Sequence, residues 1–274
     1  MQQLFSIAGI HVYLFGVTIA LGMLIGYFIV SKEITRKKLD EDVFSTLSLY
    51  VIIFSIIGAR LYYVTVFALE YYLNDPIQIF MIRNGGMSIQ GGIIGGVLSG
   101  LIYLKIRKAN FKDYADAFVP GLAIGQFIGR IGCDVFGIPM NGTYPWGKLV
   151  NGVLVHPVQI YEALLDLVLF AWLWRRREYI KFKGQLFVEY IIIFGIIRGF
   201  IEFFRSNPIW IEPFTVAHLT SFVMIIIGLV LLLVFRKKDN IKRPSKVNRK
   251  SNIVFYLFII LLAVSSTYLF YTIR

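Results

Sequence analysis

The sequence predicts an all-α, polytopic transmembrane helical bundle, and three observations support this fold class. Hydrophobic residues make up 57% of the 274 positions, whereas charged residues make up only 16%. Soluble globular chains are about one quarter charged, so this chain lacks the charges that would hydrate a water-facing surface. The apolar residues also cluster into stretches of about 20 residues, the helical length that crosses a bilayer core. The single cysteine, Cys133, excludes an internal disulfide framework.

Eight apolar stretches are long enough to cross a bilayer. The third, fourth and fifth are less purely apolar than the others. No basic segment precedes the first stretch, which itself has the length of a span, so we expect no cleaved signal peptide. The predicted spans are residues 9–31, 45–68, 86–104, 114–136, 157–174, 185–204, 215–235 and 252–272.

The basic residues are distributed as in a multi-pass membrane protein. Four alternate connections hold 21 of the 28 lysines and arginines. Because cytoplasmic loops are enriched in these residues, this side is predicted to be cytoplasmic and both termini extracytoplasmic. The net charge of +12 is therefore topological, and it predicts contact with anionic membrane lipids and no nucleic-acid partner. The basic connections are residues 32–44, 105–112, 175–184 and 236–251.

Seven cations remain, and three of them fall within predicted spans or close to their ends: Arg60, Arg130 and Arg198. An arginine at the bilayer centre costs about 2.5–3.5 kcal/mol on insertion scales, so it must be paired or face a polar cavity. An ion pair with a carboxylate would explain any one of them, whereas an anion-binding site better explains several together. The other four cations are Arg83, Lys148, Arg205 and Arg274.

The densest motif is glycine-rich and runs from Asn84 to Gly96, at the start of the third predicted span. Two interpretations stay open. Gly92 and Gly96 have the small-xxx-small spacing that permits close helix packing. Alternatively, the motif forms a non-helical entry into the span, where exposed N–H groups at a helix N-terminus suit an anion such as phosphate.

A second motif, from Gly125 to Asp134, places Arg130 among small residues. A guanidinium presents a planar fork that matches two phosphate oxygens. The alternative is an internal ion pair with Asp134, because residues four apart share a helix face.

Two further motifs contain intramembrane carboxylates. Tyr161 and Glu162 follow His156-Pro157 by one turn, and a carboxylate at that depth must be paired or serve as an acid or base. Offsets of four and seven residues place Arg198, Glu202 and Arg205 on one helix face, a charged stripe that we expect to face the bundle interior.

The sequence predicts neither a metal site nor a cofactor site. The three histidines, His11, His156 and His218, lack the spacing of metal ligands. No phosphate-binding loop, dinucleotide fingerprint or nucleophile elbow is present.

Together and in this order, the motifs resemble those of the prolipoprotein diacylglyceryl transferase family. The resemblance runs from about residue 10 to residue 235 and includes Gly-Ala-Arg-Leu-Tyr-Tyr at residues 58–63. It implies a seven-span enzyme of the bacterial inner membrane that moves the diacylglyceryl group of phosphatidylglycerol onto the lipobox cysteine of a prolipoprotein signal peptide, releasing glycerol phosphate. Residues 1–238 would form the catalytic membrane domain, 239–251 a basic cytoplasmic linker, and 252–274 an additional C-terminal transmembrane helix.

The chain departs from the family pattern at three positions. Gln90 stands where the family usually has His, Cys133 where it has Asn, and Phe15 where it has Tyr. A further Asn and Glu of the family motif have no match in residues 134–142. Two alternatives therefore stay open: a divergent paralogue that uses another lipid or acceptor, and a lipid-binding or transport protein without chemistry.

The implied reaction sets the expected roles. Its leaving group is a phosphate monoester with two negative charges, which preorganised cations would stabilise. The same positive field would favour the thiolate form of the acceptor. We expect Arg130, Arg198 and Glu162 to be catalytic, with Glu162, Asp134 and His218 as alternative general bases if one is needed. The expected substrate-binding residues are Arg60, Gly85, Gly86, Gln90, Gly91, Gly92, Gly129, Tyr161, Glu202 and Arg205.

Overall fold

The computed structural model describes residues 2–7, 10–82, 85–207, 209–237 and 250–273. Within these ranges the chain forms eight long α-helices and one short one, which confirms the all-α class. Arg83, Asn84, Arg274 and residues 239–249 of the predicted linker lie outside the described residues. The helices are α1 Leu14–Arg36, α2 Glu41–Phe67, α3 Leu69–Asn74, α4 Ile89–Ile106, α5 Phe111–Ile131, α6 Val158–Arg176, α7 Gln185–Glu202, α8 Val216–Arg236 and α9 Lys250–Ile273.

Five of the described helices are long and apolar enough to cross a membrane: α1, α2, α4, α8 and α9. They expose large hydrophobic side chains, such as Val230 and Leu233 of α8, in contiguous surfaces that suit lipid rather than water. A helical membrane protein is therefore confirmed. Helices α5, α6 and α7 have 21, 19 and 18 residues, lengths close to a bilayer core. These three helices contain several charged residues, and their crossing of the membrane stays a prediction.

The predicted spans match the long helices closely, with two informative differences. The first predicted span is residues 9–31, but α1 begins at Leu14 because strand β2 (Ile10–Tyr13) pairs antiparallel with β1 (Gln3–Ile7). The fourth predicted span is residues 114–136, but α5 ends at Ile131. The chain beyond α5 turns instead, and the Gly137 N–H donates to the His156 carbonyl at 2.8 Å.

The short elements between the helices were not predicted. Strands β3 (Lys148–Val150) and β4 (Val153–Val155) form an antiparallel hairpin that leads into α6. Strands β5 (Ile209–Ile211) and β6 (Phe214–Thr215) form another that leads into α8. A 3₁₀ turn, Pro76–Phe80, follows α3.

The chain divides into two compact units. The first unit comprises Met1–Val30 and Ala115–Arg274, and the second comprises Ser31–Tyr114. In the second unit, α2 packs on α4 so closely that a side chain at Gly58 or Gly91 would overlap the opposite backbone. Close packing is also confirmed at Gly96, where an added Cβ would overlap Oγ of Ser55, whereas Gly92 has only ordinary contacts at 3.5 Å and beyond.

The core of the first unit lies among α5, α6 and α7. Its fully buried members include Val119 and Ala123 of α5, Leu173 of α6 and Leu186 of α7. Ile259 of α9 completes the cluster. This apolar packing fixes the spacing of the three helices that bear the charged residues.

Asp116 joins the start of α5 to the start of α7. This fully buried carboxylate accepts hydrogen bonds from the backbone N–H of Gly184 at 2.8 Å and of Phe187 at 3.1 Å. A carboxylate in this position satisfies the free N–H groups of the helix N-terminus and interacts favourably with its dipole.

Candidate active site

Three arginines and two glutamates come together in the first unit, and we call them the arginine–glutamate cluster. Arg130 lies in the last turn of α5, and Glu162 lies near the start of α6. Arg198 and Glu202 occupy the last turns of α7, and Arg205 follows in the turn beyond it. Five residues that are distant in sequence therefore form one ionic network.

Glu162 is the centre of the cluster. Its Oε2 lies 2.8 Å from Nη1 of Arg130 and 3.5 Å from Nη1 of Arg205, and its Oε1 lies 3.0 Å from Nη1 of Arg198. Only 5% of this side chain is exposed. One buried carboxylate thus positions three guanidinium groups, since each is held by an oxygen of the same side chain.

Glu202 forms the second anchor, and its side chain is fully buried. Its Oε2 pairs with Arg198 Nη2 at 3.2 Å and with Arg205 Nε at 3.6 Å, so the predicted charged stripe is present. Its Oε1 accepts hydrogen bonds from Asn207 Nδ2 at 2.7 Å and Thr215 Oγ1 at 2.8 Å. Sequence reasoning missed Asn207 and Thr215, because Asn207 reaches Glu202 through the turn after α7 and Thr215 through the folded β5–β6 hairpin.

The arginines retain donors for a further anion. Arg130 and Arg198 are 27% and 22% exposed, and within the described part of the chain Nε and Nη2 of Arg130 have no hydrogen-bond partner. Burial lowers the pKa of Arg205, which lies beyond the end of α7, and the nearby Glu162 opposes this effect. An arginine stays protonated in proteins, so all three side chains are permanent cations.

Two further carboxylates, Asp134 and Asp166, each lie four residues along the chain from a member of the cluster. Asp134, four residues after Arg130, accepts a hydrogen bond from the Gln2 backbone N–H at 2.9 Å. Asp166 lies one turn deeper than Glu162 on α6, is 2% exposed, and interacts electrostatically with Arg130 and Glu162. The ion pair that Arg130 forms is with Glu162, so its partner comes from another helix.

The neighbours of the cluster include Tyr161, whose hydroxyl lies 3.4 Å from Nδ1 of His156. The ring of Phe204 packs against both residues, with centroids 5.1 Å from His156 and 6.1 Å from Tyr161. At Gly129, an added Cβ would meet only Ile19, at 3.9 Å. The structure therefore shows no steric need for glycine at that position.

Arg60, in the second unit, is a buried arginine of a different kind. It is 5% exposed, and all five of its N–H groups have backbone carbonyl acceptors. The ring of Tyr72 lies beneath the guanidinium, 4.9 Å from centroid to Cζ. This saturation indicates that Arg60 positions the loop before α4, and its predicted contact with a phosphate stays untested. The acceptors are the carbonyls of Gln78, Ile79, Met81, Gly85 and Gly86.

The loop that Arg60 organises confirms a non-helical entry into α4. Gly85 and Gly86 have φ angles of 84° and 74°, a region that glycine adopts without the strain imposed on other residues. Ser88 is extended, and α4 begins at Ile89. The exposed Gln90 accepts a hydrogen bond from the Ser88 hydroxyl at 2.6 Å. Anion binding by this loop stays a prediction.

Among the described residues, no group of three or more histidine, cysteine or acidic side chains is arranged to hold a metal ion. His218 instead caps α8, since its Nδ1 accepts a hydrogen bond from the Thr215 backbone N–H at 3.1 Å. The charged groups that the structure brings together at this site are arginine cations and buried carboxylates.

Comparison with known proteins gives a consistent result. The family model for prolipoprotein diacylglyceryl transferase matches residues 2–234. The chain is 38% identical over 237 residues to the phosphatidylglycerol–prolipoprotein diacylglyceryl transferase of Clostridioides difficile, which covers 86% of this chain and 95% of that protein. It is 35% identical to the protein of the same name from Finegoldia magna, in an alignment that covers 88% of this chain and 98% of that protein. It is 36% identical to the protein of the same name from Halalkalibacterium halodurans, in an alignment that covers 82% of this chain and 83% of that protein.

Proposed function

Because the chain belongs to the prolipoprotein diacylglyceryl transferase family, we propose that its arginine–glutamate cluster holds the phosphate of phosphatidylglycerol during transfer. The chain is a membrane enzyme that transfers the diacylglyceryl group from phosphatidylglycerol to a prolipoprotein. The observation that carries the site assignment is the position of Glu162, which fixes Arg130 and Arg198 while leaving guanidinium donors free. Such preorganised donors stabilise charge as it develops, without reorganising during the reaction.

The bond changes explain why cations are required. The sulfur of the acceptor cysteine attacks the glyceryl carbon that bears the phosphate, and a carbon–sulfur bond forms as the carbon–oxygen bond breaks. The electron pair stays on the phosphate oxygen, so a phosphodiester with one negative charge becomes a glycerol phosphate with two. The thiol proton is released to solvent or to the phosphate product. The arginines therefore stabilise the transition state more than the bound lipid, which is the condition for catalysis.

Each member of the cluster has a distinct part in this proposal. Arg130 and Arg198 contact the phosphate through their free N–H groups. Glu162 and Glu202 are positioning residues, since their oxygens are engaged by arginines and by Asn207 and Thr215. Arg205 contributes positive charge from 3.5 Å away from Glu162 and 3.6 Å away from Glu202.

The predicted topology determines which side of the membrane the arginine–glutamate cluster faces, and therefore which acceptor can reach it. With both termini outside, the ends of α5 and α7 and the start of α6 lie toward the extracytoplasmic side of the cell membrane. The expected acceptor is the lipobox cysteine of a prolipoprotein signal peptide, which reaches this side during export. Supporting evidence for this orientation is the excess of lysine and arginine in the connections assigned to the cytoplasm.

Helix α9 lies beyond the family match, which ends at residue 234. We assign it the role of an additional span that braces α6. Phe255 stacks on Trp174 of α6 with 6.4 Å between ring centroids, and the Tyr271 hydroxyl donates to the Trp146 carbonyl. Lys148 of β3 lies over the Tyr271 ring at 5.9 Å. These contacts connect α9 to the segment that leads into Glu162.

Reconstitution tests the proposed function directly. The purified chain is placed in vesicles with phosphatidylglycerol and a lipobox peptide, and mass spectrometry follows the thioether product while glycerol phosphate is measured separately. Equal amounts of both products are expected, and a peptide with serine in place of cysteine is the matched control. Lipid binding without either product would favour the non-catalytic alternative. Transfer from a different phospholipid only would favour the paralogue.

A further inference from the structure

A groove of about 510 Å³ lies between α7 and α8 in the first unit. Its walls are apolar: Ile196 and Phe200 contribute from α7, Phe203 from the turn that follows it, and Leu219 and Phe222 from α8. Volumes of this size are typical of small-molecule sites. The reaction proposed for the arginine–glutamate cluster does not by itself assign a function to this groove.

The polar end of the groove adjoins the cluster. Thr215 lines the groove and also donates its hydroxyl hydrogen to Glu202 at 2.8 Å. Glu202 in turn pairs with Arg198 and Arg205. A ligand that fills the groove therefore ends at Thr215, which one hydrogen bond and one ion pair connect to Arg198.

His218 presents a hydrogen-bond donor at the same end. Its Nδ1 accepts from the Thr215 backbone N–H at 3.1 Å, so in the neutral ring the proton lies on Nε2. That Nε2 is buried and, within the described part of the chain, has no hydrogen-bond partner. Phe203 and Phe214 hold the ring at centroid distances of 4.4 Å and 5.5 Å. A buried donor without a partner is costly, which indicates that a ligand acceptor completes it.

We propose that the α7–α8 groove binds one fatty acyl chain of the phospholipid donor, with Nε2–H of His218 donating to the ester carbonyl at its polar end. This inference rests on the proposed function and deepens it. In a diacyl phospholipid, the ester carbonyl lies a few bonds from the phosphate, and the hydrocarbon chain extends from it. The order of groups along the lipid thus matches the order of arginines, His218 and apolar walls along the protein.

The dimensions of the groove favour a lipid chain over a helical segment of the acceptor. An α-helix with its side chains is about 10–12 Å wide. Helices α7 and α8 are already in contact along the groove, where a Cβ added at Gly195 would lie 3.2 Å from the Ser221 carbonyl oxygen. A flexible hydrocarbon chain is narrower and adapts to irregular walls of phenylalanine and isoleucine.

A pair of tryptophan substitutions separates groove filling from general disturbance of α8. Leu219 lines the groove and is 43% exposed, whereas Ile226 is 44% exposed and is not among the lining residues described. Leu219→Trp is expected to lower kcat/KM for dioleoyl phosphatidylglycerol about tenfold, the scale of small volume changes in apolar pockets. Ile226→Trp should change it less than about twofold, a loss no larger than that of one weak contact. Equal losses in the two variants would overturn the proposal.

The length of the lipid chain supplies a second test. The loss in Leu219→Trp should shrink with dihexanoyl phosphatidylglycerol, whose short chains leave most of the groove empty. A loss that is independent of chain length would contradict acyl-chain binding. Diacylglyceryl transfer by the parent chain with any of these lipids supports the proposed function, independently of which ligand the groove binds.

The donor at His218 is tested with His218→Asn. Asparagine Oδ1 can still accept from the Thr215 N–H, but the Nε2 donor is lost. KM for phosphatidylglycerol should rise roughly 2–10-fold with little change in kcat, as for loss of one hydrogen bond formed in both ground and transition states. A merely structural role would lower the melting temperature and leave KM unchanged.

Photolabelling locates the chain without any substitution. Phosphatidylglycerol with a diazirine at the end of one acyl chain should label residues 195–203 and 219–225, and excess unlabelled lipid should compete. Labelling elsewhere, with transfer intact, would refute the groove assignment alone. Labelling of the groove by a photoreactive lipobox peptide in place of the lipid would assign it to the acceptor. Groove labelling without any transfer would instead refute the proposed function.

Discussion

Arg130 at the end of α5 and Glu162 at the start of α6 form an ion pair with 2.8 Å between Nη1 and Oε2. Because Glu162 is 5% exposed and also contacts Arg198 and Arg205, the geometry of three arginines depends on one carboxylate. Removing one partner of a buried ion pair costs about 3–5 kcal/mol, since the remaining charges lose compensation. The stability of this region and its catalytic geometry should therefore change together.

Glu162→Gln tests this dependence. The amide cannot neutralise three guanidiniums, so the free energy of unfolding should fall by about 3–5 kcal/mol and transfer should be lost. Thermal melting in detergent and turnover with phosphatidylglycerol are the measurements. Glu70→Gln, at an exposed position of α3, is the control and should change neither. A Glu162→Gln variant with parental melting and turnover would remove Glu162 from the site.

Arg60→Lys distinguishes a positioning role from phosphate binding. Lysine has three N–H donors where Arg60 uses five, so the loop before α4 should loosen. Hydrogen exchange at residues 76–88 is expected to accelerate, and turnover should fall as a consequence. If Arg60 instead contacts the phosphate, KM should rise while exchange in this loop stays at the parental rate. Arg107→Lys, at the C-terminal end of α4, is the matched control.

The orientation of the chain is testable with reporter fusions. The basic bias predicts that a reporter joined after residue 40 lies in the cytoplasm and one joined after residue 274 lies outside. Activity of paired cytoplasmic and extracytoplasmic reporters measures each position. Finding both junctions on the same side would contradict the eight-span topology and the extracytoplasmic placement of the arginine–glutamate cluster.

Tyr271→Phe tests the brace formed by α9. Only the hydroxyl that donates to the Trp146 carbonyl is removed, so the free energy of unfolding should fall by about 0.5–1.5 kcal/mol. Tyr268→Phe removes a hydroxyl from a side chain that is 70% exposed on the same helix and should have no measurable effect. Indistinguishable melting of the two variants would show that the contact does not stabilise the protein.

Much of the fold could be predicted from the sequence because polar and charged residues mark the ends of each apolar stretch of bilayer length. The charged stripe of α7 was also predictable, since Arg198, Glu202 and Arg205 are related by local helical spacing alone. Glycine density left both close helix packing and a non-helical entry open, and the positive φ angles of Gly85 and Gly86 confirm the entry. In each case the determining information lies within a few residues of the feature itself.

The rest depends on contacts between helices. The four-residue spacing along the sequence allows Arg130 to pair with Asp134, but the packing of α5 against α6 brings Arg130 to Glu162. The sequence could not show that the N–H groups of Arg60 donate to backbone carbonyls of the loop before α4, because that loop folds back onto α2. Thr215 reaches Glu202 only through the β5–β6 hairpin.

The central claim is that Arg130 grips the phosphate of the lipid donor, and Arg130→Lys tests it most directly. A guanidinium can hold two phosphate oxygens with a planar fork, whereas an ammonium is a compact, strongly hydrated point charge. Loss of one preorganised donor costs about 10²–10³ in rate. The measurement is turnover of phosphatidylglycerol by purified Arg130→Lys alongside its melting temperature in detergent. We predict a loss of that size with parental melting, whereas turnover within about threefold of the parent, less than the effect of one neutral hydrogen bond, would contradict the phosphate assignment.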